Sequence, residues 1–216
     1  MNFTSYTDFR SAVLKMIDGD DINSGALSQS TLDLLIAMGE QAVYYGTTGI
    51  QSTLPPLRCA EMEAPLSITA TGNLAPLPAD CLELISVQVD GEYPMDYVAK
   101  EGQLRLLKAG GGSGAARKYT QQGLNLLFFP TVSDGTTIGG RYYKKAADIA
   151  SGTLNAAFTR YPDVWLYAAV AEAAPFIGED NRLPLWKAQY AGRLMAALAN
   201  ERARLTHGSR LTQVAR

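Results

Sequence analysis

Few side chains in this sequence are of the type and spacing that chemistry demands. Glu61 and Glu63 stand two apart in a stretch, 58–69, that reads as strand, so their carboxylates share a face and could form a glycosidase acid pair. A solvated strand face is the plainer reading of that spacing. The single histidine, His207, falls in a C-terminal segment too poor in apolar residues to hold it, whereas a serine or cysteine triad needs a positioned base. Cys59 and Cys81 lack zinc-ligand spacing and are too few for a disulfide framework, so both are expected as buried free thiols. The polar run from Asp18 to Gly25 is like a calcium loop only in composition, because no glutamate stands at its twelfth position. Gly110–Gly114 has no Lys-Ser/Thr after it and no apolar helix following, so it reads as a flexible surface loop and not a phosphate cradle. The residues therefore point to no catalytic, cofactor-binding or metal site. They suit a protein that works through surfaces.

The elements that would carry such surfaces follow from patterning. At 216 residues the chain can bury roughly 70% of its unfolded surface. No apolar run approaches the ~18 residues of a bilayer span, and Met1–Asp8 has neither a basic nor an apolar export region, so no membrane partner is expected. Thr4 or Ser5 can cap a helix to about Ile17, with Phe9, Val13, Met16 and Ile17 on one stripe. Ser28 or Ser30 can cap a second to about Tyr45, where Leu34, Leu35, Met38, Ala42 and Tyr45 fall at helical spacing and Gly46 supplies the stop. Pro55-Pro56 then breaks the pattern. Strand texture follows: residues 82–89 run into Asp90-Gly91, a hairpin signal with 93–98 returning; 118–121 and 124–129 flank a Gln-Gly turn; 136–145 follow Asp134-Gly135.

From Leu154 the helical texture returns. Pro162 suits the first turn of a helix that is apolar all round as far as Ile177, with Gly178 as its stop, and Pro184 opens another. In that last helix Leu183, Trp186, Tyr190, Leu194, Ala197, Leu198, Glu201 and Leu205 lie near one face. The expected fold is α+β: a helical bundle of residues 1–50 and 151–205, a small antiparallel β domain inserted at 56–148, and an extended arm at 206–216. Tyr161, Trp165, Tyr167, Trp186 and Tyr190 belong to the helical core or to subunit contacts, where aromatics are enriched. Charge is asymmetric. Residues 181–216 hold Arg182, Lys187, Arg193, Arg202, Arg204, Arg210 and Arg216 against Glu201, a net +6 that leaves −8 elsewhere in a chain of total −2. The arm should be disordered in isolation, and Leu211 and Val214 among its cations suit ordering on an acidic partner.

The run from Thr159 to Trp186 is also where a family becomes recognisable. Thr159-Arg-Tyr-Pro-Asp163, Trp165-Leu-Tyr-Ala168, Glu172-Ala-Ala-Pro175, the acidic Glu179-Asp180 turn and Leu183 with Trp186 resemble the head–tail adaptors of tailed bacteriophages, which dock beneath the portal. Leu77-Pro-Ala-Asp-Cys-Leu-Glu83 resembles the same family's approach to a strand, with Cys81 where an aromatic residue is usual. The resemblance implies a non-enzymatic virion protein at the head–tail interface, made in the host bacterial cytoplasm. It implies a homo-oligomeric ring, a dodecamer, that extends the channel for genomic DNA without sequence-specific contact. Its implied partners are itself, the portal, and tail or nozzle proteins, with Arg202, Arg204, Arg210, Leu211, Val214 and Arg216 as the portal-docking arm. A nucleic-acid-binding protein using the basic arm is the alternative, since phosphate binding needs clustered cations. A lysis or tail hydrolase is a third class, and the one with the least residue support.

Overall fold

The computed structural model of the chain describes residues 2–18, 28–48, 53–89, 94–99, 102, 115–177 and 181–206. These form two compact units, Met1–Met62 with Ala146–Arg216, and Glu63–Lys145. The fold class is α+β.

Helix α1 spans Tyr6–Asp18, and its first turn is held by Ser5, whose Oγ accepts from the Asp8 N–H at 3.1 Å. Helix α2 spans Gln29–Tyr45; Ser28 caps it by accepting from the Thr31 N–H, and Gly46, at φ 75°, ends it in a backbone conformation that a side chain would resist. Two short antiparallel strands of two residues each, β1 (Thr47–Thr48) and β2 (Thr53–Leu54), follow. The chain returns to this unit with α3 (Ala156–Arg160), α4 (Pro162–Ala173) and α5 (Leu183–Thr206).

Helix α4 is the axis of the unit. Val164, Trp165, Leu166, Ala168, Ala169, Val170, Ala171 and Ala173 are all buried, as expected of a helix apolar on every side. It ends earlier than the sequence suggested. A 3-10 turn takes over at Ala174–Ile177: Ala174 keeps helical backbone and donates to the Val170 carbonyl, but Pro175 has no N–H to continue the ladder. Gly178, the expected stop, lies outside the described residues. Trp165 meets the rings of Tyr44 and Phe158 edge-on at centroid distances of 6.1 and 5.9 Å, and Phe158 meets Phe9 of α1 at 5.1 Å.

At the crossing of α2 and α4 a Cβ on Gly39 would lie 2.7 Å from the Ala169 nitrogen. Gly39 and the paired alanines thus let two backbones approach closely. Gly39→Ala gains about 1 kcal/mol of helix propensity and loses about 1–3 to overpacking against rigid backbone. We expect a net drop in the urea midpoint; an unchanged or higher midpoint would show that the crossing has slack.

The second unit is built from strands. β3 (Glu63–Thr69), β9 (Thr137–Lys144) and β5 (Cys81–Val89) make an antiparallel sheet in the order β3-β9-β5. β4 (Leu74–Pro76), β8 (Asn125–Phe129), β7 (Lys118–Gln122) and β6 (Asp96–Tyr97) make the other, in that order. Leu66, Val87, Ile138 and Tyr142 from the first sheet and Ala75, Tyr119, Leu126 and Phe128 from the second share one core. Two expectations change here. β6 does not pair antiparallel with β5 across Asp90-Gly91; it pairs parallel with β7, so the second sheet is mixed. β5 pairs along its length with β9, and the returning chain meets β5 at Met95, whose N–H donates to the Val87 carbonyl at 2.8 Å. Gly140, at φ 146°, pairs with Val87 just beyond a bulge in β5, where a Cβ would fall 2.0 Å from the Ser86 carbonyl oxygen, and only glycine passes there.

Candidate interaction surfaces

The residues that could have done chemistry are each engaged separately. Glu61 sits in a 3-10 turn, Ala60–Met62, with its carboxylate 3.9 Å from Arg160, whereas Glu63 opens β3 and pairs with Arg141 across the ladder. Each carboxylate has its own cation. Burial, with Glu61 nearby, pushes the Cys59 thiol up to about 12, and burial also raises the half-buried Cys81, so neither is a ready thiolate. Among the described residues no group of three or more His, Cys, Asp or Glu is placed to hold a metal ion, and no helix is long and apolar enough to cross a membrane. His207 and Gly110–Gly114 lie outside the described residues.

The aromatic set divides by burial. Tyr161, Trp165 and Tyr190 are buried, while Tyr167 and Trp186 are half-buried with ring centroids 6.2 Å apart. Guanidinium groups lie over both of that pair, Arg193 at 5.8 Å from Tyr167 and Arg182 at 5.6 Å from Trp186. Arg193 also reaches Asp163 at 3.4 Å. Asp163, Tyr167 and Arg193, with Arg160, Met16 and Asn2, line a groove of about 560 Å³. The Tyr190 hydroxyl is buried without a hydrogen-bond partner and lines a separate cavity of about 170 Å³, alongside Ala42, Thr47, Glu172 and Lys187.

Sequence reasoning assigned no partner to one buried carboxylate of the helical unit. Glu201 is 6% exposed. Its Oε1 accepts from the Tyr161 hydroxyl at 2.7 Å; its Oε2 accepts from the Ala60 N–H and from Arg204 Nε, both at 3.2 Å. One carboxylate thus ties α5 to the α3–α4 junction and to the 3-10 turn. The signal was present, since Glu201 follows Tyr190, Leu194 and Ala197 on the buried face of α5. Of the expected docking arm, Arg202 and Arg204 are exposed on the last turns of α5, and Arg204 is already bonded to Glu201. Arg210, Leu211, Val214 and Arg216 lie outside the described residues.

The packing of α2 also differs from the sequence expectation. Leu34, Met38 and Tyr45, placed at helical spacing with Leu35, face solvent, and the buried side is Leu32, Leu35, Ile36, Val43 and Tyr44. Both faces of α2 are apolar, so spacing alone could not choose between them. At the hairpin tip Phe176 and Leu185 are exposed as well. What the helical unit displays is contact surface: apolar helix faces, aromatic–cation pairs and a cationic helix end.

No curated protein matches the chain. The sequence profile of one family, the SU10 adaptor protein, does, over residues 4–214. A match that runs from the first helix to within the last residues covers both units and every surface just described, and the chain belongs to this family of bacteriophage head–tail adaptors.

Proposed function

We propose that this chain assembles as a homo-oligomeric ring, a dodecamer, between portal and tail. The ring extends the channel through which the genome leaves, and the β unit offers a surface to tail proteins. The protein acts by binding and not by catalysis. The observation that carries this reading is the family match across residues 4–214. A second supports the portal contact: α5 remains helical to Thr206, so Arg202 and the segment beyond it start from a rod that Glu201 anchors in the core. Residues 206–216 add Arg210 and Arg216 for an acidic surface and Leu211 and Val214 for apolar contact.

Removing residues 206–216 tests the arm. The truncated chain is expected to melt as the full chain does and to co-sediment less with portal rings of its phage. The difference between the two forms should narrow as salt screens the ionic share of the contact. Equal binding by both forms at low salt would move the portal contact from the arm to the helical faces.

A further inference from the structure

The cavity of about 170 Å³ beside Tyr190 joins an apolar wall to polar groups that lack partners. The wall comes from small residues where three helices meet: Ala42 in the last turn of α2, and Ala168 and Ala171 on α4, across from Tyr190 on α5. Leu54 of β2 adds to the apolar side. Gly46 ends α2 and turns the chain into β1, so Thr47 and Thr48 border the same space. Alanine side chains are too short to close the gap between these elements, and what remains is more than one water needs.

Two polar groups line this space without an answer in the fold. Tyr190 is 4% exposed, and its hydroxyl has no hydrogen-bond partner. Glu172, four residues after Ala168 on α4, is half-buried, and among the described residues no donor or cation reaches its carboxylate. The two groups are neighbours: burial first, and then the Glu172 charge, raises the Tyr190 phenol. Lys187 stands at the rim, exposed and without an ion pair to Glu172.

Keeping an unpaired carboxylate and an unsatisfied hydroxyl out of water is costly. Packing alone does not need them, since phenylalanine and glutamine would fill the same volumes. An anion would be repelled by Glu172, and an apolar group would leave both polar groups dry. A cation on an aliphatic stem suits every part of the lining. Its methylenes lie along Ala42, Ala168, Ala171 and Leu54, and its N–H donors meet Glu172 and the Tyr190 oxygen.

We infer that this cavity receives one basic side chain, a lysine ammonium or an arginine guanidinium, from an adjoining protein in the assembled particle. The inference rests on the adaptor reading for the presence of such a neighbour. It does not depend on the ring or on the C-terminal arm.

The test titrates the isotope-labelled full chain with n-butylammonium, n-butylguanidinium and n-butyrate at constant ionic strength. Amide resonances of Ala42, Thr47, Ala168, Glu172 and Lys187 report on the cavity. The cations should shift them saturably and butyrate should not, and the tighter cation identifies the side chain. Glu172→Gln should weaken that binding at least tenfold. Tyr190→Phe should weaken it severalfold yet melt no lower than the wild type, because its hydroxyl has no partner to lose. A tyrosine with a purely structural role would show the reverse. No saturable shift with either cation, equal shifts with butyrate, or undiminished binding by Glu172→Gln would each overturn the inference. A clearly lower melting temperature for Tyr190→Phe would overturn it too, by showing that water or the chain satisfies the hydroxyl. None of these measurements involves the portal, so failure here leaves the adaptor reading standing.

Discussion

Trp165→Asp should yield no soluble, folded protein. The indole is 2% exposed and packed edge-on against Tyr44 and Phe158, so the substitution removes the largest fully buried side chain of the chain and leaves a carboxylate in its place. Loss of a buried Trp to a small residue costs about 3–5 kcal/mol, and an unpaired polar group buried in the cavity costs several more. Together these rival the ~5–15 kcal/mol total stability of a typical domain. Soluble yield and far-UV circular dichroism are the measurements. The companion Trp165→Phe separates packing from polarity. The indole N–H is buried without a hydrogen-bond partner, so phenylalanine forfeits ring volume and no hydrogen bond. It should fold with a modestly lower melting temperature. Wild-type melting of the aspartate variant would mean that the α2–α4 contact is open to water.

Glu201→Ala should be the next most damaging change. Its two oxygens satisfy the Tyr161 hydroxyl, the Ala60 N–H and Arg204. Arg204 is about half exposed and can turn to solvent, so the loss falls on the other two groups. Leaving buried donors unsatisfied costs about 1–3 kcal/mol each, for an expected total of about 2–6 kcal/mol. Glu201→Gln keeps an acceptor oxygen and should cost less. A double-mutant cycle with Tyr161→Phe, read by urea denaturation, should give a coupling of about 1 kcal/mol or more. Additive single effects would show that the 2.7 Å contact contributes nothing to the fold.

Local chemistry explains which parts of the fold were legible beforehand. Ser28, Gly46 and Pro162 act within one turn of their own positions, through a cap, a left-handed backbone and a missing N–H, and the structure uses each in that way. Trp165 was recognisable as a core aromatic because α4 is nearly free of charge, and Tyr190 because it falls at helical spacing with Leu194 and Ala197. What depended on distant partners was hidden. The phase of α2 is set by α4, which covers the Leu35–Gly39 side and leaves Leu34 and Tyr45 outside. The partner of β6 is set by β7, remote in sequence from the Asp90-Gly91 signal. Spacing put Glu201 on the face of α5 with Tyr190 and Leu194, but its partners Tyr161 and Ala60 come from other parts of the chain and could not be read from it.

Exposed apolar side chains on α2, at the hairpin tip and on α5 are costly to leave in water unless a partner covers them in the assembled particle. Burial within one chain accounts for α4 completely, and it does not account for Leu34, Met38 or Tyr45.

The central claim is that copies of this chain form a ring on the portal. The most direct measurement is electron microscopy of portal rings mixed with the full-length protein, averaged without imposed symmetry. A single closed ring of added density on the tail-facing side, with twelve repeats matching the portal, is the predicted result. Portal particles unchanged by excess protein, or density in an open or single-copy form, would contradict it.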